Sequence, residues 1–490
     1  MHKLIKFAAL NAASLTAIWS QSVLADLTDL FGSFETELEE QSALATWTTY
    51  NRLVEQEGCR DDMLLDPSLD PRQEGFESAC TGQIYTLFSH VREIIHTANE
   101  ITGEGSTVFS LGSNLEGLGF ALRWAAAEEY AAQGTVSSEF VNGQISGLAA
   151  RMTALRLGAR GFNFAAAPGW QGHSGGAASA DINQYSRWGG FINYSYGFGD
   201  RSPTDTEDAF DFDGSKIHAG FDYIINEHWI AGLAAGYANQ TVDFDASQSI
   251  VEGGMDSKGF SFMPFVLYQP NNFFFSFSAG YQNMDFDTTR SIRYTSFNPD
   301  VPSTDTETVS TTSASMTSLF FESGYSWQKN QWGLEPYFNI RSTDISVDSF
   351  VEDDINDSAF DLVVREQDIS SMEFTLGLKA QYTITPRQGV YMPWLSLELV
   401  SQSEDAPRLI DSYYSNDRSA QTAFQIPTSE LDSSYSVISF GLNTVIRGGR
   451  QTEADGPIRG GLQGFANYKI ITGLEGMSIN IFSMGLRYAF

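Results

Sequence analysis

The sequence predicts a mainly β protein: an antiparallel transmembrane β-barrel of about 12 strands, with an α-helix in its lumen and a small helical region before it. Three observations support this fold class. From residue 186 to residue 490, apolar and polar residues alternate with a period of two, which is typical of strands with one apolar face. The links between these strands alternate between short turns and long polar loops, and aromatic residues lie near the strand ends, as in outer-membrane barrels.

The balance of charges excludes one class of function. Among the 490 residues, 28 are Lys or Arg and 61 are Asp or Glu, which gives a formal net charge of −33. A chain this acidic is not expected to bind nucleic acid. With 42% hydrophobic and 13% aromatic residues, it is also far from the composition of disordered acidic proteins, so we expect a folded body.

Residues 1–25 predict the compartment. A short basic start at residues 2–6 precedes an apolar stretch at residues 7–19, and small residues at positions 23 and 25 fit a secretory signal peptide that is cut after Ala25. An uncleaved anchor is the alternative, although the stretch is shorter than the roughly 20 apolar residues that a spanning helix needs. We therefore expect a mature protein outside the cytoplasm, without a transmembrane helix.

The region before the barrel has helical spacing. Within residues 26–137, Leu115, Leu118 and Leu122 recur with a helical period, and Gly134 is well placed as a helix stop. These residues therefore predict a small helical region, which is either a short passenger or a periplasmic domain.

A second apolar stripe, over residues 138–161, has steps of three and four and predicts one more helix. We predict that this helix enters the barrel lumen, but a solvated helix face in a periplasmic domain explains its arginines equally well. Residues 162–185 are rich in Gly, Ala and Ser and predict a linker. The arginines that flank the stripe are Arg151, Arg156 and Arg160.

The barrel is predicted over residues 186–490. In residues 373–384, one face carries Phe374, Leu376 and Leu378, and the other face carries polar or small residues. This alternation recurs in twelve segments, although ten or fourteen strands are also compatible with it, because such boundaries are uncertain by about two to four residues. The predicted strands begin near residues 186, 210, 228, 253, 272, 313, 331, 366, 389, 433, 460 and 476.

The lengths of the links favour closure into a membrane barrel. Closure removes every sheet edge, which lets strands lie in lipid. Twelve strands enclose a lumen wider than their own side chains fill, so we expect a plug or an open pore. Lumen-facing acids such as Glu335 and Glu398 favour the arginine-flanked helix as the plug. The long polar links are near residues 199–208, 246–252, 287–312, 347–365 and 403–432.

The C-terminal strand points to a family. Its alternating apolar residues are Phe482, Met484, Leu486, Tyr488 and the last residue, Phe490. With these residues the sequence resembles the autotransporter (type V secretion) family, whose C-terminal translocator domain closes with such a strand. Residues 145–162 look like the pre-barrel helix of that family, and residues 187–191 and 211–237 look like its first three strands.

The resemblance covers roughly residues 140–490 and implies a barrel threaded by a helix, through which an N-terminal passenger reaches the cell surface. It also implies a monomeric barrel whose partners are outer-membrane lipid, lipopolysaccharide, periplasmic chaperones and the barrel assembly machinery, which recognises the terminal strand. The chain departs from the family in residues 26–137, which are short and show no β-helix repeat. Surface display is therefore in question.

Cys59 and Cys80 are the only two cysteines of the chain. In an oxidising compartment they are expected to form one disulfide, and two free thiols are the alternative.

The sequence contains few motifs that would indicate catalysis. The sequence holds no nucleophile elbow, P-loop or HExxH zinc motif. His90 and His96 lie six residues apart on a predicted helix and therefore on nearly opposite faces, so a shared metal is not expected. The acidic stretch at residues 352–361 lacks the ligand spacing of an EF-hand and is expected to be a solvated charge run. We expect no catalytic residue, no cofactor and no metal.

The sequence thus predicts an outer-membrane protein that transports or displays its own N-terminal region and is not an enzyme. Two alternatives stay open. The first is a porin-like diffusion channel with a periplasmic N-terminal region, and the second is a surface adhesin or enzyme carried by residues 26–137.

Overall fold

The computed structural model describes most of the chain. The described ranges are 27–61, 80–158, 187–244, 250–386, 389–403, 408–417, 424–429, 432–447, 450–451 and 458–489. The predicted signal peptide and linker lie outside the described residues, as do Arg160 and Phe490.

Twelve long strands form a closed antiparallel barrel, which confirms the predicted fold class. Each strand pairs with its neighbours in the sequence, and the first strand pairs with the last from Gly189↔Ala489 to Arg201↔Met477. The strands are β1 (Trp188–Arg201), β2 (Phe210–Ile224), β3 (Trp229–Phe244), β4 (Gly253–Tyr268), β5 (Phe273–Tyr294), β6 (Thr304–Tyr325), β7 (Trp332–Val347), β8 (Gln367–Tyr382), β9 (Val390–Gln402), β10 (Ser434–Arg447), β11 (Leu462–Thr472) and β12 (Met477–Ala489).

One predicted boundary is wrong. Strand β6 begins at Thr304, not near residue 313, and β5 continues to Tyr294. The two strands pair as far as Tyr294↔Thr304, so most of the predicted long loop is an extended hairpin. Its polar Thr and Ser residues resemble a loop in the sequence, but Thr306 and Thr308 are buried.

The alternation within each strand separates lipid-facing from lumen-facing side chains. On β8, Phe374, Leu376 and Leu378 point outward and are exposed, whereas Thr375 and Lys379 are buried in the lumen. An apolar exterior around a polar interior is the inverse of a soluble protein and fits a hydrocarbon surrounding.

Two outer bands border this apolar belt. At the ends of the strands that join by short turns, aromatic rings pair across strands, as in Trp229–Tyr268 with ring centroids 4.4 Å apart and Trp332–Tyr382 with centroids 4.8 Å apart. Toward the opposite end, the outward positions become acidic. Exposed members of this acidic band are Asp200, Asp213, Asp243, Asp256, Asp285 and Asp287.

The two ends of the barrel differ in their links. Short turns at residues 225–228, 269–272 and 326–331 define the short-turn rim, where Asn271 and Asn330 adopt the left-handed conformation of tight turns. The opposite end, the long-loop rim, carries longer links, of which residues 348–366 and 403–433 contain short strands of their own. These short strands are Phe350–Val351, Leu362–Val364, Leu409–Tyr414 and Phe424–Pro427, and they form a separate sheet.

Before the barrel, the described residues form four α-helices: α1 (Glu37–Glu57), α2 (Gln83–Thr102), α3 (Leu115–Ala126) and α4 (Ala131–Gly158). The Thr36 side chain caps α1 by accepting a hydrogen bond from the Glu39 N–H at 3.2 Å, and the left-handed Gly58 ends it. No helix among the described residues combines the length and the hydrophobicity needed to cross a membrane.

Contrary to the prediction, Gly134 does not stop the helix that holds Leu115, Leu118 and Leu122: that helix ends at Ala126, and Gly134 lies within α4. The guanidinium of Arg408 lies where a side chain at position 134 would lie, so the glycine makes room for Arg408 within an unbroken helix. The helix begins at Ala131 instead of residue 138.

Helices α1–α3 pack together on the long-loop rim, and we call them the cap. The Phe297 N–H donates to the Leu111 carbonyl oxygen at 2.7 Å, and the Asn298 side chain donates to the Ser110 carbonyl oxygen at 2.9 Å. Both Phe297 and Asn298 belong to the link between β5 and β6. The segment between α2 and α3 is therefore hydrogen-bonded to a link of the barrel.

Candidate functional site

The lumen is the candidate functional site, and α4 occupies it. The helix packs most closely against β1–β3 and β5–β7. Its described residues carry only three charges, Glu139, Arg151 and Arg156, all of which are buried.

Arg151 binds the barrel near its seam. Its guanidinium forms a very short ion pair with Asp222 on β2, and Arg487 on β12 lies 3.4 Å from the other oxygen of that carboxylate. Asp222 therefore links the lumenal helix to the last strand across β1. Gly189 on β1 lies between them, and a Cβ there would be 2.7 Å from an Arg487 nitrogen.

Arg156 makes a second ion-pair cluster at the same end. Its Nη1 lies 2.6 Å from an Oε1 of Glu322 on β6, and its Nη2 lies 3.9 Å from Glu335 on β7. The guanidinium also lies over the ring of Phe274, 3.8 Å from its centroid, as Arg151 does over Phe191 at 4.9 Å. Stacking on a desolvated ring adds to the attraction of the ion pairs.

The middle of the lumen is more basic. Lys216 on β2 donates from Nζ to the Glu139 carbonyl oxygen at 2.6 Å, and Lys469 on β11 donates to the Ser146 hydroxyl at 3.0 Å. Arg341 on β7 forms a 2.7 Å ion pair with Glu373 and a short hydrogen bond to Asn142 of α4.

Glycines on α4 give these basic side chains room. Gly143 lies against the Lys216 side chain and Gly147 against the His218 ring, so that any side chain at either position would overlap its neighbour. The helix surface is therefore shaped to this part of the wall.

A cavity remains beside α4. It has a volume of about 180 Å³, and its lining includes residues of β8–β11 as well as Lys216 and His218 on β2. Its lining includes Glu398, which accepts a 2.5 Å hydrogen bond from the Tyr337 hydroxyl, and Lys379, whose Nζ lies 4.5 Å from the Trp394 ring centroid. Charged and polar side chains thus line part of the space that the helix leaves in the lumen.

The chain turns from the cap into the lumen at residues 127–130, which we call the neck. Arg123 at the end of α3 forms a buried ion pair with Glu128, with Nη2 and Oε2 2.7 Å apart. Tyr130 donates its hydroxyl to Glu352 at 2.6 Å. Burial raises the pKa of Glu128 to about 8, while Arg123 opposes that shift.

Glu129 is the least satisfied group of the neck. It is 1% exposed, and in the part of the chain that the structure describes neither of its carboxylate oxygens has a hydrogen-bond partner. Burial raises its pKa to about 8; nearby Arg290 lowers it, and Glu352 and Asp208 raise it further.

The cysteines and histidines lie in the cap. Cys59 and Cys80 form a disulfide, as the sequence predicted. His96 accepts a 3.1 Å hydrogen bond from the Phe109 N–H, and His90 packs on the Phe360 ring with centroids 4.3 Å apart. Within the described ranges, no group of three His, Cys, Asp or Glu side chains could hold a metal ion.

The structure brings some predicted residues together and separates others. Arg151 and Arg156 both face acids, but Glu398 bonds to Tyr337 and Glu335 is only a distant partner of Arg156. Asp222 and Glu322 were not predicted from the sequence as partners of these arginines. Alternation was the available signal for Asp222, since it shares the inward parity of His218 on β2. Phe482, Met484, Leu486 and Tyr488 are exposed on the outer face of β12.

The fold and the contents of the lumen together define an outer-membrane β-barrel with an α-helix in its lumen. A model of the autotransporter β-domain matches residues 190–455, which is more than half of the chain. The chain belongs to the autotransporter β-domain family, whose barrels are translocators of the outer membrane and are typically not catalytic themselves.

Solved structures of translocator domains are similar to this chain at low identity. The translocator domain of autotransporter NalP from Neisseria meningitidis is 12% identical, with a TM-score of 0.44, over 63% of this chain and 90% of that one. The β domain of the Bordetella autotransporter BrkA is 14% identical, with a TM-score of 0.42, over 62% and 100%. The transport unit of AIDA-I from Escherichia coli is 13% identical, with a TM-score of 0.40, over 63% and 93%. No curated protein sequence matches this chain.

Proposed function

We propose that this chain exports its own N-terminal helices through its barrel and keeps them at the cell surface as a cap. The path of the chain is the observation that carries the proposal. Helix α4 begins beside the long-loop rim, under the cap, and its C-terminal arginines reach the short-turn rim, where β1 begins. Outer-membrane barrels turn their long loops outward and their short turns to the periplasm. In that orientation, the cap lies outside the cell.

Contacts between the cap and the barrel support retention of the cap after export. Arg52 on α1 forms a very short ion pair with Asp417 in the link between β9 and β10. Arg123 on α3 lies 3.7 Å from Asp208 in the link between β1 and β2. Such buried pairs would leave uncompensated charges if the cap departed, so we expect the cap to stay bound even after a cut in the chain.

The remaining steps follow from the organisation proposed for the chain. Residues 1–25 direct secretion and are removed, residues 26–137 are the short passenger, and residues 162–185 link α4 to the barrel. The outward residues of β12, with Phe490, are the signal for the barrel assembly machinery after delivery by periplasmic chaperones. The acidic band faces the lipopolysaccharide layer, and the barrel is a monomer.

A diffusion channel with a periplasmic N-terminal region is the competing proposal, and it requires an open lumen. The helix in the lumen argues against it. Planar-bilayer recordings of the full chain are expected to show low conductance, and a variant that lacks residues 131–158 is expected to show much more. Equal, large conductance in both would favour the channel. No observation favours an adhesin or enzyme activity in residues 26–137.

Accessibility of two epitope tags tests the orientation. One tag is inserted between the exposed Glu104 and Gly105 of the cap, and its matched control between the exposed Asn226 and Glu227 of a short turn. We expect antibody to bind the cap tag on intact cells and the turn tag only after permeabilisation. A cap tag that is reached only in permeabilised cells would refute display.

A further inference from the structure

The charges of α4 follow an axial order that matches the lumen wall. Glu139 is followed after twelve residues by Arg151, which at 1.5 Å per residue is a rise of about 18 Å. On the wall, Lys216 and Asp222 are six residues apart on β2, which is about 20 Å along the strand. The acidic end of α4 therefore lies beside a basic part of the wall, which we call the basic level. The basic end of α4 lies beside an acidic part, which we call the acidic level.

The acidic level lies next to the short-turn rim. Asp222 is two residues from the end of β2, Glu322 three from the end of β6, and Glu335 three from the start of β7. Lys379 and Arg487 also lie at this level, so the wall alone has three carboxylates against two cations and a net charge of −1. Arg151 and Arg156 of α4 add two positive charges at this level, and they pair with Asp222 and Glu322.

The basic level lies in the middle of the barrel. Lys216, Arg341 and Lys469 are all within electrostatic range of the Glu139 carboxylate. Glu373 and Glu398 lie among these cations, so the wall has a net charge of +1 that Glu139 neutralises. A shift of α4 by one turn in either direction would remove Arg151 and Arg156 from their acids in a largely dehydrated space, which is costly.

We propose that Arg151 and Arg156 are positioning residues that set the axial depth of α4, so that the resting position of the exported chain is determined in the lumen and not by the cap. The inference rests on the proposed function, since it concerns where outward movement ends. It specifies the length of chain that lies outside the barrel, because everything before Ala131 is held beyond the long-loop rim once the arginines are bound.

A cysteine cross-link is the reporter that tests the depth in the assembled full-length protein. Gln144 of α4 and Ser261 of β4 share a short hydrogen bond, so Gln144→Cys and Ser261→Cys are expected to be joined at the native depth by a short bifunctional thiol reagent, which makes up for the length by which cysteine is shorter than glutamine. Four alanines, a rise of about 6 Å, are then inserted either between Ser146 and Gly147 or between Thr135 and Val136. The first insertion lies between the reporter and the arginines, and the second lies between the reporter and the cap.

The two insertions have opposite expected results. If the arginines set the depth, the first insertion abolishes the cross-link and the second preserves it. If the cap sets the depth, the first preserves the cross-link. Preservation after the first insertion, or loss after the second, overturns the proposal. Adding Arg151→Gln and Arg156→Gln to the first insertion is expected to restore cross-linking, because the cap then fixes the helix.

The readout is restricted to folded barrels, which are selected by heat-dependent mobility on a gel, so a variant that fails to assemble is not scored as a change of depth. Mass spectrometry distinguishes the new pair from Cys59–Cys80. The cross-link reports depth whichever way the barrel faces, whereas the cap tag reports orientation, so failure of this inference and failure of the proposed function are distinguishable.

Discussion

Arg290 and Glu352 form a doubly hydrogen-bonded ion pair beside the neck, with Nε–Oε1 and Nη2–Oε2 distances of 2.9 and 2.7 Å. Arg290 belongs to β5 and also donates to the Trp124 carbonyl oxygen near the end of α3, at 3.1 Å. One buried guanidinium thus joins a barrel strand, the link after β7 and the cap. The cap is therefore hydrogen-bonded, through the Trp124 carbonyl oxygen, to an ion pair whose two side chains both belong to the barrel.

Replacement of Arg290 by Met is expected to loosen the cap. Removing one partner of a buried ion pair leaves the other charge uncompensated, which costs about 3–5 kcal/mol. We expect faster amide hydrogen exchange in α2 and α3 of Arg290→Met, while strands of the apolar belt keep their protection. Exchange followed by mass spectrometry on the purified full chain measures both.

Arg293→Met is the matched control on the same strand. Arg293 pairs with Glu252 and with Asp305, but its side chain is 47% exposed, and exposed pairs contribute about 0–1 kcal/mol. Little change in α2 and α3 is therefore expected. Equal effects of the two variants on hydrogen exchange in α2 and α3 would contradict a particular role of the Arg290–Glu352 pair in holding the cap.

Gly147→Leu is expected to displace α4 and open the lumen. The His218 ring occupies the place of a side chain at position 147, and His218 is itself buried in the wall. We expect overpacking of this contact to be relieved by movement of the helix. In planar bilayers, the variant should show larger and more frequent conductance steps than the native chain.

Ala149→Leu provides the comparison for Gly147→Leu. Ala149 lines the lumenal cavity, which has room for added carbon atoms. We expect its conductance to equal or fall below that of the native protein. An increase as large as that of Gly147→Leu would mean that any larger residue in α4 opens the barrel, whatever its position.

Much of the barrel was predictable, because its strands have a local signature. Alternation over ten or more residues specifies both a strand and its lipid-facing side. Only the hairpin of β5 and β6 was predicted to be shorter than it is. There, Thr and Ser residues occupy inward positions, and nothing in the local sequence shows that Thr308 is buried against Glu352 at 2.9 Å. The contact depends on a partner 44 residues away.

The contacts in the lumen were less predictable from the sequence, because they too join residues that are far apart in the chain. Arg151 and Arg156 were recognisable as helix-flanking cations, but Asp222 is 71 residues from Arg151 and Glu322 is 166 from Arg156. Gly134 looked like a helix stop, because glycine destabilises an isolated helix. In the folded protein, a glycine at this position leaves room for the side chain of Arg408. The two residues come together when the barrel closes.

Removal of the disulfide is expected to weaken the cap and leave the barrel intact. The bond closes a segment with a sequence separation of 21 residues, for which the chain-entropy model gives about 3 kcal/mol. In a variant with Cys59→Ala and Cys80→Ala, α1 should become protease-sensitive at lower temperature. Heat-dependent gel mobility of the barrel should not change. If the variant lost both the protease resistance of α1 and the heat-dependent mobility of the barrel, the cap and the barrel would not have separate stabilities.

Glu129 is expected to make the seating of the cap dependent on pH. Arg290, Glu352 and Asp208 face it, and burial raises its pKa from 4.5 to about 8. The folded neck therefore binds a proton more tightly than the unfolded chain. Its contribution to stability is complete below pH 4.5 and is lost as the pH rises to about 8, by up to about 1.4 kcal/mol per pH unit.

Hydrogen exchange of α2, corrected for the intrinsic effect of pH, measures this dependence between pH 5 and pH 9. Protection of the native cap should fall as the pH rises through this range. Glu129→Gln has nearly the same shape but cannot ionise, so its protection should fall less steeply than that of the native chain and exceed it at pH 9. The remaining slope of the variant is expected from Glu128, whose pKa burial also raises to about 8. A native slope equal to that of the variant would show that Glu129 stays ionised in the neck, with Arg290 compensating its charge throughout.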